Sequence, residues 1–193
     1  MQIHQLNIQY QADQDRVLAR INTSAGTELR LWLTRRLTLG LLPILRRVES
    51  EQLQKSLAAQ PEADVGMTAN DPKVREMLSE FKKERALQQA DFKTPYKAPE
   101  TGLPAEVPLL VVEVQITPLA NFSARLQLIA TLADPTQKRE IKMEVDQKMM
   151  HGLVHLMDKA FNDSRWGETT PSSATPEAAA GMPDNNTRPQ YLN

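Results

Sequence analysis

Residues 16–36 read RVLARINTSAGTELRLWLTRR, and this stretch decides the fold. Apolar and polar residues alternate on both sides of a Ser24-Ala25-Gly26 centre, the period-two pattern of strands with one buried face. Pairing Thr23 with Thr27 leaves those three residues as the loop. The glycine then falls where a type I turn followed by a bulge needs positive φ. The register follows: Ile21 opposite Leu29, Ala19 opposite Leu31 and Val17 opposite Leu33, all on one face.

Before the hairpin, Leu6, Ile8 and Tyr10 alternate with Asn7 and Gln9, which predicts another strand. After it comes LTRRLTLGLLPILRR (33–47), an apolar run with an arginine pair at each end. Such a run is a membrane-contacting stretch, a basic nucleic-acid helix, or a core helix with solvated ends. Its apolar part, 37–45, is far shorter than the roughly 18 residues of a membrane span. We read it as a core helix from near Leu37 toward Leu57. Pro43 should kink that helix or mark its first turn. Arg46 and Arg47 would suit a helix C-terminus if the helix ended soon after them.

The plan recurs after residue 108. LLVVEVQI (109–116) and ARLQLIATLA (124–133) read as strands, DPTQ (134–137) as a four-residue turn, and REIKMEVD (139–146) as the partner strand. That turn sets Ala130 opposite Ile141, Leu128 opposite Met143 and Leu126 opposite Val145. A helix follows, with Met150, Leu153, Val154, Met157 and Phe161 forming its apolar stripe. An offset of 112 residues lays Leu29, Leu31 and Leu33 on Ile141, Met143 and Val145, Gly40 on Gly152, and Ile44-Leu45 on Leu156-Met157. We therefore expect an α+β fold of two antiparallel βββα units related by internal pseudo-symmetry about a twofold. Their six strands form one sheet or a sandwich, with a helical insertion between the units.

The expected boundaries are 1–48 for the first unit, 49–92 for the helical insertion and 93–108 for a proline-rich linker. The second unit takes 109–162, and 163–193 form a disordered tail, rich in Ser, Thr, Pro and Ala with little to bury. Within the insertion, Asp71 caps a helix over 71–92 and Pro72 opens it. Val74, Met77, Leu78 and Phe81 make a narrow apolar stripe there, suited to a single neighbouring helix or a partner chain.

A chain of 193 residues with 40% apolar composition and a formal charge of −1 belongs with soluble globular proteins. The first residues lack the basic start and apolar core of a signal peptide, and we expect a cytoplasmic protein without a membrane role. There is no cysteine, which excludes disulfides, thiolate-bound metal and thiol catalysis. Residues 1–48 carry seven arginines, no lysine and three acids, a net of +4, so the remainder carries −5.

His151, His155 and Asp158, at i, i+4 and i+7, share a helical face and form the one weak metal candidate. They lack the glutamate of a zinc-protease helix, and the face should meet water. No GxSxG motif, phosphate-cradling glycine loop or HExxH occurs, so no catalytic residue, enzyme activity or cofactor is expected. The hairpin register puts Arg20 opposite Arg30 and Leu18 opposite Trp32, with Arg16 beyond. Like charges opposed on a sheet are unfavourable. Either this face is covered, its arginines paired by Glu28, Asp15 or an insertion acid such as Glu76, Glu80 or Glu84, or Arg16, Arg20, Arg30 and Trp32 bind phosphates and stack on bases. The expectation is a non-catalytic interaction or adaptor protein, homo-oligomeric, partnered by protein or by itself. The alternative is a nucleic-acid-binding module.

Overall fold

The computed structural model describes residues 3–58, 72–89, 96, 107–132, 134 and 136–168. The strands are β1 (Ile3–Gln11), β2 (Arg16–Thr23), β3 (Glu28–Thr34), β4 (Leu109–Pro118), β5 (Ala124–Thr131) and β6 (Lys138–Val145). The helices are α1 (Arg35–Ala58), α2 (Pro72–Gln89) and α3 (Gln147–Ser164). The strands form one six-stranded sheet in sequence order, not a sandwich. It is mixed: β3 and β4 run parallel over Leu31–Leu109 and Trp32–Leu110, and every other neighbouring pair is antiparallel.

The β2–β3 register is the expected one. The Thr23 amide donates to the Thr27 carbonyl at 3.0 Å, and Gly26 has φ +74°. The β5–β6 register differs. Leu126 faces Met143, Leu128 faces Ile141 and Ala124 faces Val145, a shift of two from the expected pairing. The Leu132 amide reaches the Gln137 carbonyl at 3.1 Å, so the strands close between these two residues, one position earlier than a DPTQ turn would have it. Asp134 fixes the loop by accepting from the Thr136 amide at 2.9 Å. A shift of two keeps each side chain on its own face, so alternation alone cannot tell the two registers apart.

One sheet face carries Val17, Ala19, Ile21, Leu29, Leu31, Leu33, Val111, Leu126, Leu128, Ile141, Met143 and Val145, all buried in a single core. The inner side of α1 joins it through Leu41, Leu42, Leu45 and Val48, and α3 through Met150, Val154, Met157 and Ala160. α1 lies against β3 and β4. α3 starts one residue after β6 yet runs closest to β1, so both outer strands meet the same helix.

Two features of the helices differ from expectation. α1 runs unbroken through Pro43 to Ala58, close to the expected end near Leu57, so Arg46 and Arg47 stand mid-helix rather than at a C-terminus. Pro43 and Leu39 both face solvent, where the Leu39 carbonyl freed by the proline is open to water. The folded body also extends beyond 162. α3 runs to Ser164, Arg165 takes the left-handed capping conformation at φ +54°, and Trp166 is 7% exposed. Residues 169–193, most of the expected tail, lie outside the described residues, as do Asp71 and all of the linker before 107 except Tyr96.

Candidate functional site

The three metal candidates are separated by the packing. His151 is 4% exposed instead of meeting water, because α1 and α2 cover the first turns of α3. Its Nδ1 donates to Glu49 Oε1 at 2.7 Å, and Lys83 Nζ of α2 reaches the other Glu49 oxygen at 3.1 Å. Burial pushes the Glu49 carboxyl up, but the hydrogen bonds from His151 and Lys83 outweigh it and hold the group below its ordinary value. Asp158 is engaged by Arg46 of α1 at 2.5 Å, and His155 is exposed. Among the described residues no group of three ligands that could hold a metal ion forms. What the sequence offers as a metal face is instead a polar joint tying α1, α2 and α3 together.

The arginine–tryptophan face has the expected register, with Arg20 opposite Arg30 and Leu18 opposite Trp32. The like charges are relieved by Glu28, two residues from Arg30 on the same face, whose carboxylate accepts from Arg30 Nε at 2.9 Å. Tyr96, from the linker, stands over this pair and donates its hydroxyl to Glu28 Oε1 at 3.0 Å. Burial first, then Glu28, raises the Tyr96 phenol, so it stays protonated as a donor. The cover thus comes from the linker and not from Glu76, Glu80 or Glu84. Leu18 is buried, while Arg16, Arg20, Arg30 and Trp32 are half-buried. Arg20 Nε has no hydrogen-bond partner among the described residues. It lines a cleft of about 650 Å³ between β1 and α3, together with Tyr96, His155 and Lys159.

The stripe on α2 divides. Leu78 is half-buried, while Met77 and Phe81 are 70% and 60% exposed, one turn apart. Val74 lies on the same helix, and its side chain is outside the described ones. The stripe is therefore not consumed by packing on the preceding helix.

Trp166 is the feature that sequence reading missed. Its Nε1 donates to Asp15 Oδ1 at 2.8 Å, its ring meets Tyr10 edge-on at 5.4 Å, and its carbonyl accepts from Arg35 at 3.2 Å. Tyr10 donates to the same Asp15 oxygen. Asp15, at φ +46°, holds the left-handed corner between β1 and β2. A tryptophan in a Ser- and Thr-rich stretch was the available signal, since a large apolar ring is not normal chemistry for an unstructured tail. Compared with protein-family models, curated proteins and solved structures, the chain matches none. Among the described residues no helix is long and apolar enough to cross a membrane.

Proposed function

We propose that the chain is a non-catalytic interaction protein that associates with itself through the outer side of α2. The observation that carries this is the exposure of Met77 and Phe81, one turn apart on a helix joined to the body through Lys83 and Glu49. Exposed apolar pairs of this kind are the anchors by which a helix docks in a partner's groove. The joint of Glu49 with Lys83 fixes which side of α2 faces out. A cytoplasmic setting and the absence of a membrane role belong to the same reading.

The test is amide hydrogen exchange at rising protein concentration. Protection should increase in α2 and not elsewhere; concentration-independent exchange in α2 would count against the reading.

The pseudo-symmetric duplication is also part of this proposal. Two contacts support it: α1 reaches the first strand of the other half, β4, as α3 reaches β1, and Arg46 meets Asp158, its own counterpart at the 112-residue offset. Counterparts touch where a twofold axis passes between them.

A second reading, nucleic-acid binding, has one specific support. The cleft beside Arg20 gathers Arg20 and Lys159 with Asp163 and His155 in a polar lining of ligand-pocket size, and Arg20 Nε has no partner there among the described residues. It predicts a mobility shift with oligonucleotides at low salt that weakens steeply as salt rises and is lost in Arg20→Glu. No shift at low salt would end it.

A further inference from the structure

β4 is paired with β5 along its length, but with β3 only at Leu109 and Leu110. β3 ends at Thr34, where the chain turns into α1. Over residues 112–118 the other edge of β4 therefore has no strand beside it among the described residues. The first turns of α1 stand there instead. An apolar groove of about 370 Å³ lies between them, walled by Leu37, Leu41 and Ile44 on one side and by Leu110, Val112 and Val114 on the other. Ile44 and Val112 remain 48% and 43% exposed.

The charge at the end of this groove is unusual. α1 begins Arg35-Arg36 with no acid in its first turn, at the end where aligned peptide dipoles already place positive charge. α3 solves the same problem with Asp146, whose carboxylate accepts from the Met149 amide at 2.7 Å. α1 has only the neutral Thr34 hydroxyl, accepting from the Leu37 amide at 3.3 Å. Arg35 is used by the Trp166 carbonyl. Arg36 is exposed, lines the groove and has no ion pair among the described residues. Asp15 acts on the neighbouring Arg35, but Arg36, on the groove side, has no carboxylate paired with it among the described residues.

We propose that the groove takes an extended peptide segment of a partner protein, which adds as a strand to the free edge of β4. Its apolar side chains face the groove, and a carboxylate sits at Arg36. Main-chain hydrogen bonds to β4 give affinity, and alternate side chains give selectivity. A slim segment fits better than a second copy's β4, because this edge is flanked by β3 and α1 and the second β4 would bring its own β5 and α1 with it. This surface is separate from the outer side of α2 and stands or falls independently of it.

The probe is a fluorescein-labelled peptide of alternating threonine and valine ending in aspartate, beside a twin ending in amidated asparagine. The acidic peptide should move the amide resonances of residues 37–44 and 112–117, and the twin should bind at least about tenfold more weakly. Arg36→Glu should remove that difference. Gly40→Leu should abolish binding by filling the groove. A Cβ at Gly40 meets nothing within 4 Å, so an unchanged or raised melting temperature should show that the fold is intact. Equal binding of both peptides, or resonances of 37–44 and 112–117 that stay still, would overturn the proposal.

Discussion

Glu49 carries more of the architecture than its place on a surface-like stretch, VESEQLQ, suggests. It is 6% exposed and joined to His151 and Lys83, so one carboxylate ties three helices. Replacing it with alanine leaves the buried His151 ring without its hydrogen-bond partner, while the partly exposed Lys83 turns to water, and should cost about 1–3 kcal/mol in urea unfolding. Replacing the pair together, Glu49→Leu with His151→Phe, should cost far less, since apolar packing removes the need for compensation. The carboxyl is depressed from its ordinary 4.5, so the unfolded chain takes up the proton first as pH falls. The stability it contributes is therefore complete above that ordinary value and is lost as pH drops through the lower folded one. Glu49→Gln should flatten this acid limb, and an unchanged limb would assign it to other carboxylates. Gly26, at φ +74° in the tight β2–β3 loop, should tolerate alanine only at a cost of about 1–2 kcal/mol.

Among the elements, what was legible depended on whether neighbours in sequence are also neighbours in space. The β2–β3 hairpin could be registered residue by residue because its loop requires a left-handed position and Gly26 supplies it. The β5–β6 pairing could not, because Asp134 sits inside the loop rather than at its start and a shift of two conserves both faces. The α1 segment reads correctly as a core helix on its inner side. Its outer side, with Leu39 and Ile44 left at 42% and 48% exposure, is set by which neighbours reach it, and for Ile44 by β4 leaving β3 after Leu110, which local pattern does not encode. His151 shows the same limit: helical spacing groups it with His155 and Asp158, and only the packing of α1 and α2 buries the first of the three. In α2, Met77→Ser with Phe81→Ser should shift the melting temperature of the dilute monomer by no more than about 2–4 °C, since surface changes are worth about 0.5 kcal/mol each. A large loss would mean that these side chains pack within the chain.

The molecule as a whole is closed by its C-terminal turn. Trp166 reaches from the end of α3 to Tyr10, Asp15 and Arg35, which stand at the ends of β1 and the starts of β2 and α1. A large-to-small change at such a residue costs about 3–5 kcal/mol, so Trp166→Ala should unfold at markedly lower urea. A chain ending at residue 168 should keep the stability of the full one, and a chain ending at 164 should lose as much as Trp166→Ala. Equal stability of all three would show that the turn is ornamental to the fold. Composition gives the stretch from 163 onward a low capacity to bury surface, and a single tryptophan within it reverses that for its first six residues.

If the chain associates with itself through α2, sedimentation equilibrium of the unmodified chain across the micromolar range should give a mass above that of one chain which rises with concentration, and which Met77→Ser with Phe81→Ser returns to the monomer. A monomer at every concentration, or an oligomer indifferent to both substitutions, would contradict that association.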